Sequence, residues 1–263
     1  MEQVEIITRD IIAPPQFIER TNHYQINSIP IELDWMLDGL ALTKENVLLE
    51  TACGDAPFSR YLADRVKSVI ATDASPEVLQ LAERTAEKAN IENIFFENAL
   101  AEDLPFDDGT FDVVVSRFGI HQFPNPIKQI NEMVRVCKVD GSVCIIDMVS
   151  PYRIEDADCY NFFERRRNPF HTMALTEANL LSCVKQLGLV PKIIEKKEIE
   201  VTVADWLSYA HTDPESALRI QRALLNEING KGKTGLRPFL RDGQLAIKES
   251  WLGVACLKPL STV

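Results

Sequence analysis

What this chain lacks already excludes several kinds of protein. Its six cysteines (Cys53, Cys137, Cys144, Cys159, Cys183, Cys256) lie far apart and never form C-x-x-C, and its four histidines are scattered. Zinc-ligand spacing and paired-thiol redox motifs are therefore both missing, and no metal is expected. No stretch approaches the roughly eighteen apolar residues of a membrane-spanning helix. The first residues, Met1-Glu2-Gln3-Val4-Glu5, are acidic and lack the basic segment and apolar run of a signal peptide. Positive charge is scarce: 28 Lys and Arg stand against 39 Asp and Glu, a formal charge of −11. Phosphate contacts draw their affinity from Lys and Arg, so a nucleic-acid partner is not expected. No repeat or low-complexity tract occurs. The 263 residues, 46% hydrophobic and 25% charged, read as a reduced, cytoplasmic globular protein without membrane attachment.

What is present has a clear rhythm. Residues 1–30 are irregular, with Pro14-Pro15 and Pro30 as breakers, and an amphipathic helix is expected over 31–42. Short apolar runs follow at Val47-Leu48-Leu49, at 68–72, at Ile94-Phe95-Phe96, at 111–116 and at 142–148. Helical patterns separate them at 58–66, at 76–89 behind the Ser75-Pro76-Glu77 start signal, and at 126–137, with Gly141 closing the last connection. Continuous apolar strands alternating with helices imply a parallel sheet covered on both faces. After Pro151 the expectation is helices over 161–167, 177–187, 205–209 and 214–229, with strands at 189–203 and 245–257. The fold class is thus α/β, a doubly wound, mostly parallel seven-stranded sheet with inserted helical segments that act as a lid. The organisation reads as an N-terminal segment (1–30), a core (31–150), and a part (151–263) that contributes the insertions and the last two strands.

In a doubly wound sheet, ligands bind at the carboxyl ends of the strands. Two features sit there. Glu50-Thr51-Ala52-Cys53-Gly54-Asp55-Ala56 is a turn of small residues between the first strand and its helix, which lets a ligand approach backbone N–H groups. Asp73 ends the second strand, 23 residues after Glu50. Taken singly, the turn is equally a tight packing connection and Asp73 equally a solvated strand end. Together in one βαβ unit they favour a cofactor that carries a nucleoside, because a carboxylate there can accept both ribose hydroxyls. The fuller G-x-G-x-x-G pattern of a nicotinamide-dependent dehydrogenase is absent.

Further segments carry a resemblance. Val47 to Gly54, Ala71-Thr72-Asp73-Ala74-Ser75-Pro76-Glu77, Glu102-Asp103-Leu104-Pro105-Phe106 with Thr110 to Val114, and Ser116 to Pro126 occur in order. Over about residues 17 to 150 the chain resembles the class I S-adenosylmethionine (SAM)-dependent methyltransferases, specifically their type 11 group. Beyond residue 150, Tyr160-Asn161, Glu164 to His171, Asp205-Trp206 and Thr212 to Glu215 are similar to one bacterial branch of that group, which implies no particular acceptor. Three positions depart from the group's pattern: Ala52 and Ala56 stand where glycines are common, and Leu100 stands where an Asp often meets the adenine amine.

The resemblance implies SAM as cofactor and S-adenosylhomocysteine as product; the −11 charge and the inserted helices point to a small-molecule acceptor in an enclosed pocket. The resemblance also implies that Glu50 orients the methionine ammonium and that Cys53 and Gly54 lie against the cofactor. Asp73, with Ala74 beside it, holds the ribose, and Ala101 and Glu102 flank adenine. Ser116 and Arg117 meet the methionine portion, and Tyr24 and Ser28 belong to an N-terminal segment that closes over the cofactor. Methyl transfer from a sulfonium is an in-line displacement, so the protein mainly positions the acceptor and removes a proton. His121 is the candidate base, or else a structural histidine. His171 and Arg167 are candidates to meet the acceptor from the inserted segment, Arg167 pointing to an anionic one if it faces inward; Arg165-Arg166-Arg167 is otherwise a solvated helix face. Asp147 ends the fifth strand at the same opening. The competing reading is a SAM-binding relative that has lost transfer: a sensor, a partner subunit or a cyclase.

Overall fold

The computed structural model describes residue 40 and residues 42–260. Apart from Leu40 and Leu42, the helix expected at 31–42 lies outside them, as do Tyr24 and Ser28. The strands are β1 (Val47–Thr51), β2 (Ser68–Asp73), β3 (Ile94–Asn98), β4 (Phe111–Arg117), β5 (Cys137–Met148), β6 (Val190–Thr202), β7 (Phe239–Arg241) and β8 (Gln244–Leu257). The helices among the described residues are α1 (Pro57–Leu62), α2 (Pro76–Lys88), α3 (Pro126–Val136), α4 (Ile154–Arg167), α5 (Glu177–Gln186), α6 (Val203–Tyr209) and α7 (Pro214–Ile228). None of them is long and apolar enough to cross a membrane. The sheet order is β3-β2-β1-β4-β5-β8-β6, with β7 paired to β8 alone. β1 pairs in parallel with both β2 and β4, β2 with β3, and β4 with β5. The Rossmann-like doubly wound arrangement is the one the strand-helix rhythm implies, and β1 is its switch strand, with the chain running outward in both directions from it.

Local chemistry explains the element starts. Ser75, Asn125 and Asp213 each accept a backbone N–H of the following first turn (Val78, Lys128 and Ser216), and each is followed by proline at the first helical position. In β1 the neighbours Leu48 and Leu49 point to opposite faces and are both fully buried. That double burial is why the strand reads as an unbroken apolar run, and each leucine contributes roughly 1.5–3 kcal/mol.

Two differences from the sequence expectation have physical causes. β5 begins at Cys137 rather than 142, because its pairing with β4 slips between Phe111 and Val113. Gly141 lies inside that irregularity instead of ending a loop; a Cβ there would come within 2.8 Å of the Asp112 carbonyl oxygen. The sheet also has an eighth strand. Asp242 and Gly243 take φ of 50° and 78°, and β7 and β8 pair antiparallel around them, with Arg241 opposite Gln244. An Asp-Gly pair with two positive φ angles is the preferred two-residue hairpin turn.

The residues divide into two compact units. Of the described residues, one holds those up to Asp147, with Ala178–Lys196 and those from Leu252; the other holds Met148–Glu177 and Lys197–Trp251. The first unit's core packs Leu48, Val69, Val113, Val115 and Cys144 with Phe58 and Leu62 of α1 and Leu79, Ala82 and Ala86 of α2. The second packs Tyr160, Trp206, Leu207, Ile220, Leu224 and Ile247 around Met148 and Leu236.

Candidate active site

At the carboxyl end of β1 the chain must reverse at once into α1. It does so through left-handed residues at alternate positions: Ala52, Gly54 and Ala56, with φ of 53°, 58° and 55°. The two alanines that depart from the family's glycines thus occupy backbone conformations that glycine adopts more easily, at a cost of roughly 1 kcal/mol each. Three bonds hold the turn. Cys53 N–H donates to the Thr72 carbonyl (2.9 Å), Ala56 N–H donates to the Cys53 carbonyl (2.9 Å), and Gly54 N–H donates to Asp73 Oδ2 (2.9 Å). A Cβ built on Gly54 would meet nothing within 4 Å, so the backbone is open on that side.

Asp73 therefore spans two strand tips. Its Oδ1 accepts the Ser75 N–H (3.0 Å) while Oδ2 holds the turn, and the residue remains half-buried. An ionised carboxylate has about four lone-pair directions, so acceptor capacity is left on both oxygens for a diol. Ala74 beside it is exposed.

Glu50, the last residue but one of β1, is buried, and Ser59 Oγ–H of α1 donates to its Oε2. Burial pushes its carboxyl from the ordinary 4.5 up to about 7; Ser59, Arg117 and Arg60 only partly offset this. A carboxylate so poorly compensated fits a cationic ligand group, which would supply the missing charge. Cys53 is also buried, and desolvation together with the charges of Glu50 and Asp73 pushes its thiol well above the usual range, which leaves it unreactive.

The tip of β4 lies beside β1, Ser116 facing Thr51 in the ladder. Ser116 is fully buried, and its Oγ accepts Gln129 Nε2–H from α3 (3.1 Å), while the same amide reaches Thr51 Oγ1 at 3.4 Å. Gly119 must be glycine: a Cβ would come within 2.7 Å of Ser116 Oγ and 3.0 Å of the Ala52 methyl. The Arg117 guanidinium lies 4.7 Å from the centre of the Phe118 ring.

After β3, Ala101 is buried and Glu102 half-buried, while Leu100 is 58% exposed. Arg135 of α3 pins the loop that follows. It donates to the Leu104 carbonyl (2.9 Å), the Phe106 carbonyl (2.6 Å) and Asp108 (2.9 Å), and Glu132 accepts the Leu104 N–H (2.9 Å).

His121 sits in a single 3-10 turn, Ile120–Gln122, and is buried against the end of β5. Asp147 Oδ1 lies 2.6 Å from its Nδ1, and Oδ2 accepts its backbone N–H (3.2 Å). An ionised aspartate only accepts, so whenever the ring is neutral this contact selects the tautomer with the hydrogen on Nδ1 and the lone pair on Nε2.

The remaining two candidates belong to the other unit. Arg167 does face inward, but its guanidinium is committed there. Nε donates to Glu164 (2.8 Å), Nη1 donates to the Trp206 carbonyl (3.1 Å), and the group lies 4.8 Å over the Trp206 ring. His171 Nε2 meets Asn161 Oδ1 at 2.8 Å, and the same oxygen accepts the Ala174 N–H (2.7 Å). Glu249 completes the buried charges around Arg167, and burial together with the Glu164 charge pushes its carboxyl upward.

Three contributors escape sequence reasoning. Ser59 is a hydroxyl on the buried side of a short apolar helix, which is itself a readable signal. Gln129, a fully buried amide within α3, is another. Arg135 gave none, because its partners are mostly carbonyls of a loop.

Residues 49–145 match the family described as methyltransferase domain, of type 11. An uncharacterized methyltransferase of Bacillus subtilis, YcgJ, is 26% identical over 191 residues, covering 72% of this chain and 75% of the relative. A demethylmenaquinone methyltransferase of Geobacillus is 30% identical over 139 residues, covering 51% and 59%. The crystal structure of B. subtilis YcgJ has the same fold, with a TM-score of 0.79 at 21% identity, covering 88% of this chain and 99% of that one. With this sheet order, a domain match that runs from β1 into β5 and those relatives, the chain is similar to the class I SAM-dependent methyltransferases, in their type 11 group.

Proposed function

We propose that this methyltransferase binds SAM across the carboxyl ends of β1, β2 and β4 and methylates a small-molecule acceptor whose proton passes to His121. The observation that carries the reading is the Asp73 carboxylate, fixed by the Gly54 and Ser75 N–H groups yet retaining acceptor capacity beside an open glycine. Bound SAM supplies a methyl group on a positive sulfur, which a nucleophilic atom of the acceptor displaces in line. Glu50 compensates the methionine ammonium, Asp73 takes the ribose hydroxyls, Gly54 and Cys53 offer a close backbone surface, and Ala101 and Glu102 border adenine. Ser116 and Arg117 present backbone groups to the methionine portion, with Gln129 fixing Ser116. His121, its Nδ1–H directed at Asp147, offers Nε2 to an acceptor O–H, N–H or activated C–H. Arg167 and His171 act by holding their own unit together. The −11 charge and relatives named for demethylmenaquinone methylation support a small acceptor, an aromatic ring carbon among the eligible atoms.

Calorimetric titration with SAM and with S-adenosylhomocysteine tests the first half: saturable binding is expected, and Asp73→Ala abolishes it. For the second half, His121→Asn lowers transfer about 10²–10⁴-fold while SAM affinity stays within about twofold. An absence of SAM binding by the unaltered chain overturns the proposal. Tight binding with no methylated product across a broad acceptor panel favours a SAM-using relative without transfer.

A further inference from the structure

β3 forms one edge of the sheet and, among the described residues, pairs with β2 alone. Val69 N–H donates to the Asn93 carbonyl and Ala99 N–H to the Asp73 carbonyl, which fixes the ladder's phase. The backbone groups of Phe95 and Glu97 turn toward β2, so those of Ile94, Phe96 and Asn98 face the open edge. Beside that edge a groove of about 520 Å³ runs between β3 and α2. Its floor is apolar (Ile91, Ile94, Phe96) and its rim acidic (Glu83, Glu87, Glu92). Phe95, which alternates with Ile94 and Phe96 along the strand and also contributes to the groove's lining, is 56% exposed.

These features specify an occupant. Unpaired N–H and C=O groups on an open edge accept an extended strand, and the flanking apolar surfaces receive its alternate side chains. Two copies of this chain joined edge to edge would bring their glutamate rims together, and like charges brought together repel. A long cationic side chain suits the groove instead, its methylene stem on the floor and its charge at the rim. We infer that the β3 edge takes an extended segment of another protein with Lys or Arg at alternate positions, which adds as an outer strand. Its cations lie along Ile91, Ile94 and Phe96 toward Glu83 and Glu87, and its remaining side chains lie beside Phe95.

The probe is a short fluorescein-labelled peptide of alternating lysine and valine, titrated into the full chain and followed by anisotropy. Saturable binding is expected, weakened about tenfold or more by Glu83→Lys with Glu87→Lys, by N-methylation of alternate peptide residues, and by raised salt. Glu45→Lys with Glu215→Lys changes net charge equally at distant exposed sites and leaves the affinity within about twofold. The inference is overturned by no binding, by equal loss in the distant variant, or by indifference to N-methylation. A dimer in sedimentation velocity that Phe95→Glu dissolves also overturns it, because a second copy would then own the edge.

Discussion

The strand tips before residue 148 and the interior of the unit built on Met148–Glu177 and Lys197–Trp251 use polar residues in opposite ways. In the first, Asp73 and Glu50 are each held by hydrogen bonds from the protein, yet one keeps acceptor capacity and the other lacks a full counter-charge. In the second, Arg167 donates to Glu164 and to the Trp206 carbonyl, and Asn161 meets His171, across α4, α6 and the chain after α4, although Glu164 Oε1 is buried without a hydrogen-bond partner. Burial alone therefore does not tell the two sets apart, since Glu50 is as buried as Arg167. What distinguishes the first set is the acceptor capacity left on Asp73 and the charge left uncompensated on Glu50.

The contrast is broken most directly at Arg167. Replacing it with methionine leaves Glu164 buried without its partner, and the expected loss is about 3–5 kcal/mol of stability. Denaturant titration measures this, and adding Glu164→Gln should restore part of it. SAM affinity of the folded protein should not change; a raised acceptor KM with stability intact would instead return Arg167 to the acceptor.

Glu50 gives the next largest effect. Its carboxyl titrates near 7 in the folded chain against an ordinary 4.5, so between those values the folded form holds a proton that the unfolded form has released. Stability from this group is full at low pH and falls as pH rises through that window, by about 3 kcal/mol in total. The difference between unaltered and Glu50→Gln unfolding energies across pH isolates it. Glu50→Gln should also weaken SAM binding about 10–100-fold, because a charge-assisted bond becomes a neutral one. It should remove a pH dependence in which affinity of the unaltered chain falls about tenfold per unit below pH 7. Unchanged affinity in that variant would place the ammonium elsewhere.

The smallest effect sharpens the comparison within the turn. Ala56→Gly relieves a left-handed alanine but loses a buried methyl and loosens the unfolded chain, so stability should move by less than about 1 kcal/mol. Ala82→Gly, at an equally buried position within α2, has no strain to relieve and should cost about 1–2 kcal/mol by thermal denaturation.

The chain is highly legible wherever its local signals agree. Ser75-Pro76, Asn125-Pro126 and Asp213-Pro214 start helices by the same pairing of cap and proline, and the apolar runs of β1 and β4 are buried on both faces. The Asp242-Gly243 turn was equally readable, yet the strand before it has only three residues, too few for a pattern. The β4–β5 slip left no local trace, since it is a matter of register between strands. Among candidate site residues, sequence ordered Glu50, Asp73, Ser116 and His121 along successive strand ends. It gave no account of Ser59, Gln129 or Arg135, which act from helices on residues far along the chain.

The amino-acid order alone determined where most strands and helices begin, which residues are small enough for the β1 turn, and that acids stand at or next to the ends of β1, β2 and β5. These follow from backbone sterics, capping and side-chain size, all of which act within a few residues. Only the tertiary structure decided that Asp73 braces a turn 19 residues earlier, that Asp147 orients His121, that Glu50 is buried enough to hold a proton near neutrality, and that Arg167 faces Trp206. Desolvation and hydrogen-bond partnership depend on what distant segments bring alongside, and no short window of sequence contains that.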